Sequence, residues 1–131
     1  MVMNLCVDAN AYSRFMRGDS QLKELLESAD MIFIPATVLG ELYAAFELGT
    51  KRVHNRNALD AFLRMAGVEL VVAGKEIAYR YGLLIKELRD KGKSIPANDI
   101  WIAATALETG AQLVTYDVHF HFISGLRVLA P

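Results

Sequence analysis

The sequence predicts an α/β protein of three layers, with a central parallel sheet between two layers of helices. Short apolar runs alternate along the chain with longer segments that have helical periodicity. These runs are apolar at consecutive positions, as expected for strands that are covered on both faces. No internal repeat, low-complexity segment or linker interrupts residues 1–131, so we expect a single domain.

The first half of the chain contains signals for two strands and four helices. Gly18 separates the two helices that follow the first strand. Pro35 ends the second strand because it lacks the amide N–H that a sheet needs. Thr37 is a suitable N-cap for the next helix, and Gly49 ends that helix. The predicted order is strand 3–7, helix 8–16, helix 20–28, strand 31–34, helix 37–48 and helix 53–66.

The second half continues the alternation. Apolar residues at positions 77, 81, 84, 85 and 88 recur with a helical period. Polar residues 92–94 form the longest break, and Gly110 ends the apolar helix that follows. The predicted order is strand 68–72, helix 74–90, helix 96–109, strand 112–115, a short helical turn at 119–123 and strand 126–129.

Composition and charge set limits on the partners. Apolar residues make up 53% of the chain, which fits a well-filled core or a surface covered by another subunit, so we expect a homodimer. The net charge of −1 argues against nucleic acid as a ligand, but a basic cluster at 51–56 and another at 86–93 can bind phosphates. A solvated helix start explains the first cluster equally well.

Cysteine usage and the lack of targeting signals indicate the compartment. Cys6 is the only cysteine, so no disulfide can form within the chain, and its apolar neighbours indicate a packing role. No signal peptide is visible, and no apolar run approaches the roughly 20 residues that span a bilayer. We expect a cytoplasmic protein without membrane association.

Four carboxylates occupy places where an apolar run stops or a helix begins. Asp8 ends the first strand, and Glu41 lies in the first turns of the helix after the second strand. Asp99 opens an apolar helix, and Asp117 follows strand 112–115. In a parallel α/β sheet these places lie along one edge, where such folds bind ligands. The four acids are therefore the candidate catalytic and metal-binding residues.

Each acid also has an ordinary structural explanation. Asp8 can cap the following helix, or Asn10 can cap it and leave Asp8 facing a cleft. Asp117 can be a turn former, and Asp99 can be a helix-start residue. Glu41 lies one position beyond that of a capping box. Asp99 is the strongest candidate for function, because its segment contains no basic residue.

Convergence of these acids requires compensating charge. Two carboxylates about 5 Å apart repel by roughly 3 kcal/mol at an effective dielectric near 20, so protons or a cation must offset them. Oxygen ligands without His or Cys favour Mg²⁺ or Mn²⁺ over zinc. His119 and His121 fall in a polar–aromatic turn, and we expect them at the surface or at the rim of the site.

Four short segments contain the acids in a fixed order that covers essentially the whole chain. They are Leu-Cys-Val-Asp-Ala-Asn at 5–10, Val-Leu-Gly-Glu-Leu at 38–42, Ile-Pro-Ala-Asn-Asp-Ile-Trp-Ile-Ala-Ala at 95–104 and Leu-Val-Thr-Tyr-Asp-Val-His-Phe at 113–120. This pattern resembles PIN-domain ribonucleases, specifically the VapC-type toxins of bacterial and archaeal toxin–antitoxin pairs.

The resemblance implies a metal-dependent endoribonuclease that hydrolyses RNA phosphodiesters and has a small antitoxin protein as partner. It implies a site for one or two Mg²⁺ or Mn²⁺ ions, whose ligands are Asp8, Asp99, Asp117 and, directly or through water, Glu41. It further implies that Asn10 and Thr115 orient the acids or a water, and that Arg14 lies near the pocket mouth.

Other functions of the same residues stay open or are rejected. An antitoxin-paired nucleic-acid-binding module with weak or no catalysis, and a housekeeping RNA-processing nuclease, are the alternatives within the family. A phosphoacceptor receiver domain needs adjacent acids after the first strand and a lysine after the last strand. This sequence has neither, so that function is rejected. An aspartyl-nucleophile hydrolase needs Asp-x-Asp, and Asn10 replaces the second acid.

Overall fold

A computed structural model describes residues 2–131, and it contains a five-stranded sheet flanked by six α-helices. The strands are β1 (Asn4–Val7), β2 (Met31–Pro35), β3 (Val68–Val71), β4 (Gln112–Val114) and β5 (Val128–Leu129). The helices are α1 (Ala9–Met16), α2 (Ser20–Ser28), α3 (Ala36–Leu48), α4 (Arg52–Leu63), α5 (Lys75–Asp90) and α6 (Ala97–Thr109), followed by a 3₁₀ helix (Val118–Phe122). The predicted α/β class with a central parallel sheet is confirmed. Met1, which the predicted single domain includes, lies outside the described residues.

The order of the strands determines where a site can form. The order is β3-β2-β1-β4-β5, and all neighbouring strands are parallel. The chain first builds from β1 towards β3 and then crosses to β4 and β5 on the other side of β1. Val7 pairs with Val114, so the direction of building reverses between β1 and β4. Folds of this kind bind ligands at the carboxyl ends of the strands beside such a reversal.

The core lies around the central strands and α6. Leu5, Cys6 and Val7 of β1 have no exposed surface, and Leu113 of β4 is equally buried. Helices α1 to α4 connect β1, β2 and β3 in turn, and α5 and α6 lead back across the sheet to β4. Burial raises the pKa of the Cys6 thiol, so the thiol stays protonated and acts as an apolar packing group, as predicted.

Two predictions about the helices were wrong. Thr37 is not an N-cap, because β2 continues through Pro35 in register with Val71 and α3 begins at the next residue. Pro35 is the N-cap, and no side chain caps this helix. The helix predicted at 53–66 ends at Leu63, because the Met65 amide donates to the Phe62 carbonyl at 3.1 Å and closes a tighter final turn.

The two strands at the edges of the sheet differ from the prediction in burial or length. β3 is an edge strand whose Leu70 is 44% exposed, so it is not covered on both faces. β5 begins at Val128 instead of residue 126, because β4 offers it only a short partner. The Leu113 amide donates a hydrogen bond to the Arg127 carbonyl at 2.8 Å, one residue before β5 begins.

Candidate active site

Asp8 connects β1 to α1 and is almost fully buried, with 6% of its surface exposed. One carboxylate oxygen accepts a hydrogen bond from the Ala11 amide at 2.9 Å, so Asp8 is the N-cap of α1. The other oxygen accepts a hydrogen bond from the Thr115 hydroxyl. The alternative in which Asn10 caps α1 is therefore wrong, since Asn10 is exposed and lies inside the helix.

Thr115 links Asp8 to Asp117 across the reversal between β1 and β4. The Asp117 amide donates to the Thr115 hydroxyl oxygen at 3.0 Å, and the same hydroxyl donates to Asp8. Asp117 then caps the 3₁₀ helix, because its carboxylate accepts from the His119 amide at 2.9 Å. One buried hydroxyl thus fixes the rotamer of Asp8 and the position of the Asp117 backbone.

Glu41 and Asp99 reach the same edge of the sheet from two helices that pack against each other. Glu41 lies in the second turn of α3, and Asp99 lies in the first turn of α6. Pro96 is the N-cap of α6 without a side-chain hydrogen bond, so capping does not explain the position of Asp99. Both carboxylates are partly exposed and can therefore meet a ligand.

The electrostatics of the site disfavour ionisation of three of its acids. Burial, followed by the charge of Asp117, raises the pKa of Asp99, and His119 opposes this rise. Burial, followed by the charges of Asp99 and Asp8, raises the pKa of Glu41. The Asn98 side chain offsets part of this rise. These charge interactions mean that the fold brings the acids within electrostatic reach of one another.

Asp8 is the third acid with a perturbed ionisation. Burial raises its pKa above the usual value, and the charge of Asp117 adds to this effect. The hydrogen bonds from Thr115 and from the Ala11 amide lower the pKa and so favour the carboxylate. Asp8 is therefore a buried carboxyl group held by two donors in a site that otherwise disfavours negative charge.

His119 is the candidate metal ligand that the sequence did not reveal. Its Nδ1 lies 3.1 Å from one oxygen of Asp117 and 3.8 Å from one oxygen of Asp99, without a well-formed hydrogen bond. Its side chain is 45% exposed, which agrees with the expected place at the rim. The sequence predicted metal ligands without histidine, so this candidate ligand was left out. The signal available in the sequence was its position two residues after Asp117.

Basic side chains near the acids are already paired elsewhere. In residues 2–131, His119 is the one basic residue within ion-pair distance of the four acids. Arg14 lies beside the site, but its guanidinium is 3.2 Å from Asp19 and stacks 3.8 Å from the centre of the Tyr116 ring. The acids therefore keep most of their negative charge uncompensated by the protein.

This donor set fits a divalent cation. One oxygen each from Asp99 and Asp117 and a ring nitrogen of His119 all lie within 4.8 Å of one another. Close carboxylates without a Lys or Arg partner are stabilised by a bound cation, which replaces the missing positive charge. The oxygen-rich composition fits Mg²⁺ or Mn²⁺, and the imidazole favours Mn²⁺ within that pair.

Comparison with known proteins agrees with the fold. The family model of the PIN domain matches residues 5–126. The chain belongs to the PIN domain family. Ribonuclease VapC2 of Rickettsia felis is 35% identical over 117 residues, which cover 88% of this chain and 83% of that protein. Ribonuclease VapC1 of the same organism is 32% identical and covers 97% of this chain and 96% of its own length.

Solved structures of VapBC complexes have the same PIN domain fold. In VapBC2 from Rickettsia felis, bound to a DNA fragment from its promoter, one chain is 28% identical with a TM-score of 0.86. The match covers 97% of this chain and 98% of that one. DNA-bound VapBC from Salmonella typhimurium gives a TM-score of 0.85 at 22% identity, with 98% of both chains covered.

These findings confirm three of the predictions from sequence. The PIN-like fold and the VapC-type resemblance are confirmed, and with them the enzyme class, a nuclease. Among residues 2–131, no helix combines the length and the apolar character that crossing a membrane requires. The roles of the four acids as metal ligands and catalytic residues stay predictions.

Proposed function

We propose that this PIN domain is a Mg²⁺- or Mn²⁺-dependent endoribonuclease and the toxin of a toxin–antitoxin pair. The observation that supports this most is the group of four carboxylates at the reversal of the sheet, which no Lys or Arg neutralises in the described chain. The curated relatives named ribonuclease VapC2 and VapC1 support RNA as the substrate. We place the protein in the cytoplasm, where an RNA substrate is present.

The acids and the residues beside them have different roles in binding the cation. Asp8, Asp99 and Asp117 hold it, with His119 as a further ligand at the rim and Glu41 directly or through water. Thr115 keeps the Asp8 carboxylate in one orientation while it positions Asp117 through the backbone. Because Asp8 is buried and doubly hydrogen-bonded, it contributes a rigid part of the site, and the partly exposed acids contribute its open side.

When bound at these residues, one or two Mg²⁺ or Mn²⁺ ions would supply the chemistry, which is activation of the attacking water and neutralisation of charge on the phosphate and the leaving oxygen. The acids hold this positive charge in place and transfer no proton themselves. The partly exposed carboxylates of Glu41 and Asp99 leave the open side of the site to the RNA phosphodiester.

A small antitoxin protein is the proposed partner. The VapBC2 complex from Rickettsia felis supports this, because it contains a chain similar to this one. The described surface also has an apolar cavity of about 440 Å³ at the amino ends of β2 and β3, far from the acids, with Phe15, Leu26 and Met65 among its lining residues. Homodimer formation is a further proposal, since the exposed Tyr79, Leu83 and Ile85 lie along α5.

The direct test is the Asp99→Asn variant. This change keeps the shape of the side chain but removes one negative charge, so Mn²⁺-dependent RNA cleavage should fall by at least about a hundredfold. Circular dichroism should show an unchanged fold. The wild type should be inactive in EDTA and recover when Mn²⁺ is added. Undiminished cleavage by the variant, or cleavage by the wild type in EDTA, contradicts the proposed site.

Growth measurements separate the proposed role from the alternatives. Expression of the wild-type chain alone should slow growth, and co-expression of a small protein encoded beside it should relieve this effect. A chain that cleaves RNA in vitro but leaves growth unaffected is an RNA-processing nuclease. A chain that binds a partner and DNA without cleaving RNA is a binding module, and that result contradicts the proposal.

A further inference from the structure

A second cavity of about 380 Å³ lies between α1, the end of α3 and the start of α4, apart from the four acids. Its polar lining consists of groups that donate hydrogen bonds or carry positive charge, among them Tyr12, Arg17, Lys51 and His54. No Asp or Glu lines it. The cavity therefore has the opposite electrostatic character from the acid site.

Tyr12 has a buried hydroxyl without a partner in the described chain. The residue is 3% exposed, and its ring packs edge-on against Phe62 with the ring centres 5.2 Å apart, which fixes its orientation. A buried hydroxyl that makes no hydrogen bond costs about 1–3 kcal/mol, so such groups usually meet a ligand or water. Burial raises the pKa of Tyr12 to about 12, so the hydroxyl keeps its proton and is available as a donor.

The cations of this cavity are available for a ligand. Arg17, Lys51 and His54 are exposed, and none of them makes an ion pair within residues 2–131. The nearby acid Glu47 instead lies 3.6 Å from Arg52. Lys51 is also the N-cap of α4, and no side chain accepts hydrogen bonds from the first turn of this helix, which contains no acidic residue. Free amides at a helix N-terminus attract anions.

The cavity and the acid site both lie along α1. α1 begins directly after Asp8 and runs away from the acidic edge, so its axis connects the two sites. At a rise of 1.5 Å per residue, Tyr12 lies about 6 Å and Arg17 about 14 Å along this axis from Asp8. An RNA strand that binds the acids through one phosphate would have to run along α1 to place a neighbouring phosphate in this cavity.

We propose that this cavity is a subsite for a phosphate that flanks the scissile bond of the RNA substrate. The Tyr12 hydroxyl and the first amides of α4 donate to the phosphate oxygens, and Arg17 and Lys51 neutralise its charge. This inference rests on the proposed ribonuclease function. RNA is favoured over an acidic peptide because the cavity and the acid site are aligned on one helix.

The test measures binding without cleavage. A fluorescein-labelled, single-stranded RNA of mixed sequence is titrated with the full chain in EDTA, and anisotropy is followed at several KCl concentrations. Tyr12→Phe and Arg17→Gln should each weaken binding by about tenfold, because the first loses a hydrogen bond to a charged group and the second loses a positive charge beside the phosphate. Lys51→Gln should also lower the slope of log K against log salt by about one.

Two control variants match these changes. Arg64→Gln alters an exposed arginine at the opposite end of α4, and Tyr79→Phe removes an exposed hydroxyl on α5; both should bind RNA as the wild type does. Tyr12→Phe should melt at the same temperature as the wild type or a higher one, because it removes an unpaired buried group. A weaker complex therefore cannot be attributed to unfolding.

Cleavage assays separate the failure of this inference from the failure of the proposed function. With Mn²⁺ present, Tyr12→Phe and Arg17→Gln should raise KM for RNA by about tenfold. Wild-type cleavage combined with unchanged binding and KM in both variants overturns the subsite. Loss of affinity for an acidic peptide, such as polyglutamate, with unchanged RNA binding overturns it too. If the wild type cleaves no RNA, the proposed function fails, and the anisotropy results alone decide the subsite.

Discussion

Asp99→Asn should make the metal-free protein more stable at about pH 7. One oxygen of Asp99 lies within 4.8 Å of one of Asp117, a separation at which two carboxylates repel by about 3.5 kcal/mol at an effective dielectric near 20. The side chains are 15% and 33% exposed, so solvent screening reduces the net repulsion, and we expect a gain of about 1–2 kcal/mol. For a chain of this length that gain raises Tm by about 3–8 °C.

Thermal melting followed by circular dichroism measures this effect, first in EDTA and then with Mn²⁺. A cation that binds only the folded state at 100 times its Kd adds about 2.7 kcal/mol, so the wild type should gain more from Mn²⁺ than the variant does. The order of the two melting temperatures should therefore reverse. Asp60→Asn is the control, because Asp60 is exposed on α4 and makes no ion pair in the described chain.

The pH dependence of the folded state's stability tests the same repulsion between carboxylates. The pKa values of Asp8, Glu41 and Asp99 are raised in the folded state, so their contribution to stability is fully present below their unfolded pKa values. It is lost as the pH rises through the folded pKa values. Metal-free wild type should lose stability as the pH rises above about 4, the usual pKa of an unfolded carboxyl group, and Asp99→Asn should lose less. A variant that is less stable than the wild type in EDTA, with no reversal in Mn²⁺, refutes the proposed repulsion.

Three further predictions concern the support of the site and the core. Thr115→Val should cost about 1–3 kcal/mol in urea unfolding and raise the pKa of Asp8, measured by NMR titration, because Asp8 loses a buried hydrogen bond. His119→Gln should lower the ratio of Mn²⁺ to Mg²⁺ affinity in calorimetry, since imidazole favours Mn²⁺; an unchanged ratio excludes it as a ligand. Leu113→Ala should cost about 2–5 kcal/mol in urea unfolding, whereas Leu48→Ala, at a position that is 91% exposed, should change stability by less than about 0.5 kcal/mol.

The sequence predicted most of the elements because their signals are local. Apolar runs and helical periodicity depend on neighbouring residues, so the strands and helices lie within a few residues of their expected positions. The errors occur where a contact from another element decides the boundary. β2 extends through Pro35 because Val71 pairs with it, and the start of β5 depends on the length of β4.

The candidate site was predictable in part for the same reason. Asp8 and Asp117 follow strands, whereas Glu41 and Asp99 lie in the first two turns of helices, and parallel strands bring such positions to one edge. Their mutual effects on pKa depend on burial and on separations of a few ångströms, which no local pattern contains. Those effects on pKa arise from the packing of α3 against α6.

The sequence by itself determined the fold class, the order of its elements and the family, because these follow from periodicity and from short motifs in a fixed order. Tertiary structure alone decided the hydrogen bond from Thr115 to Asp8, the approach of His119 to the acids and the cavity beside Tyr12. The physical reason is that each depends on where side chains from separate elements meet. The distances between these side chains are set by packing across the whole chain.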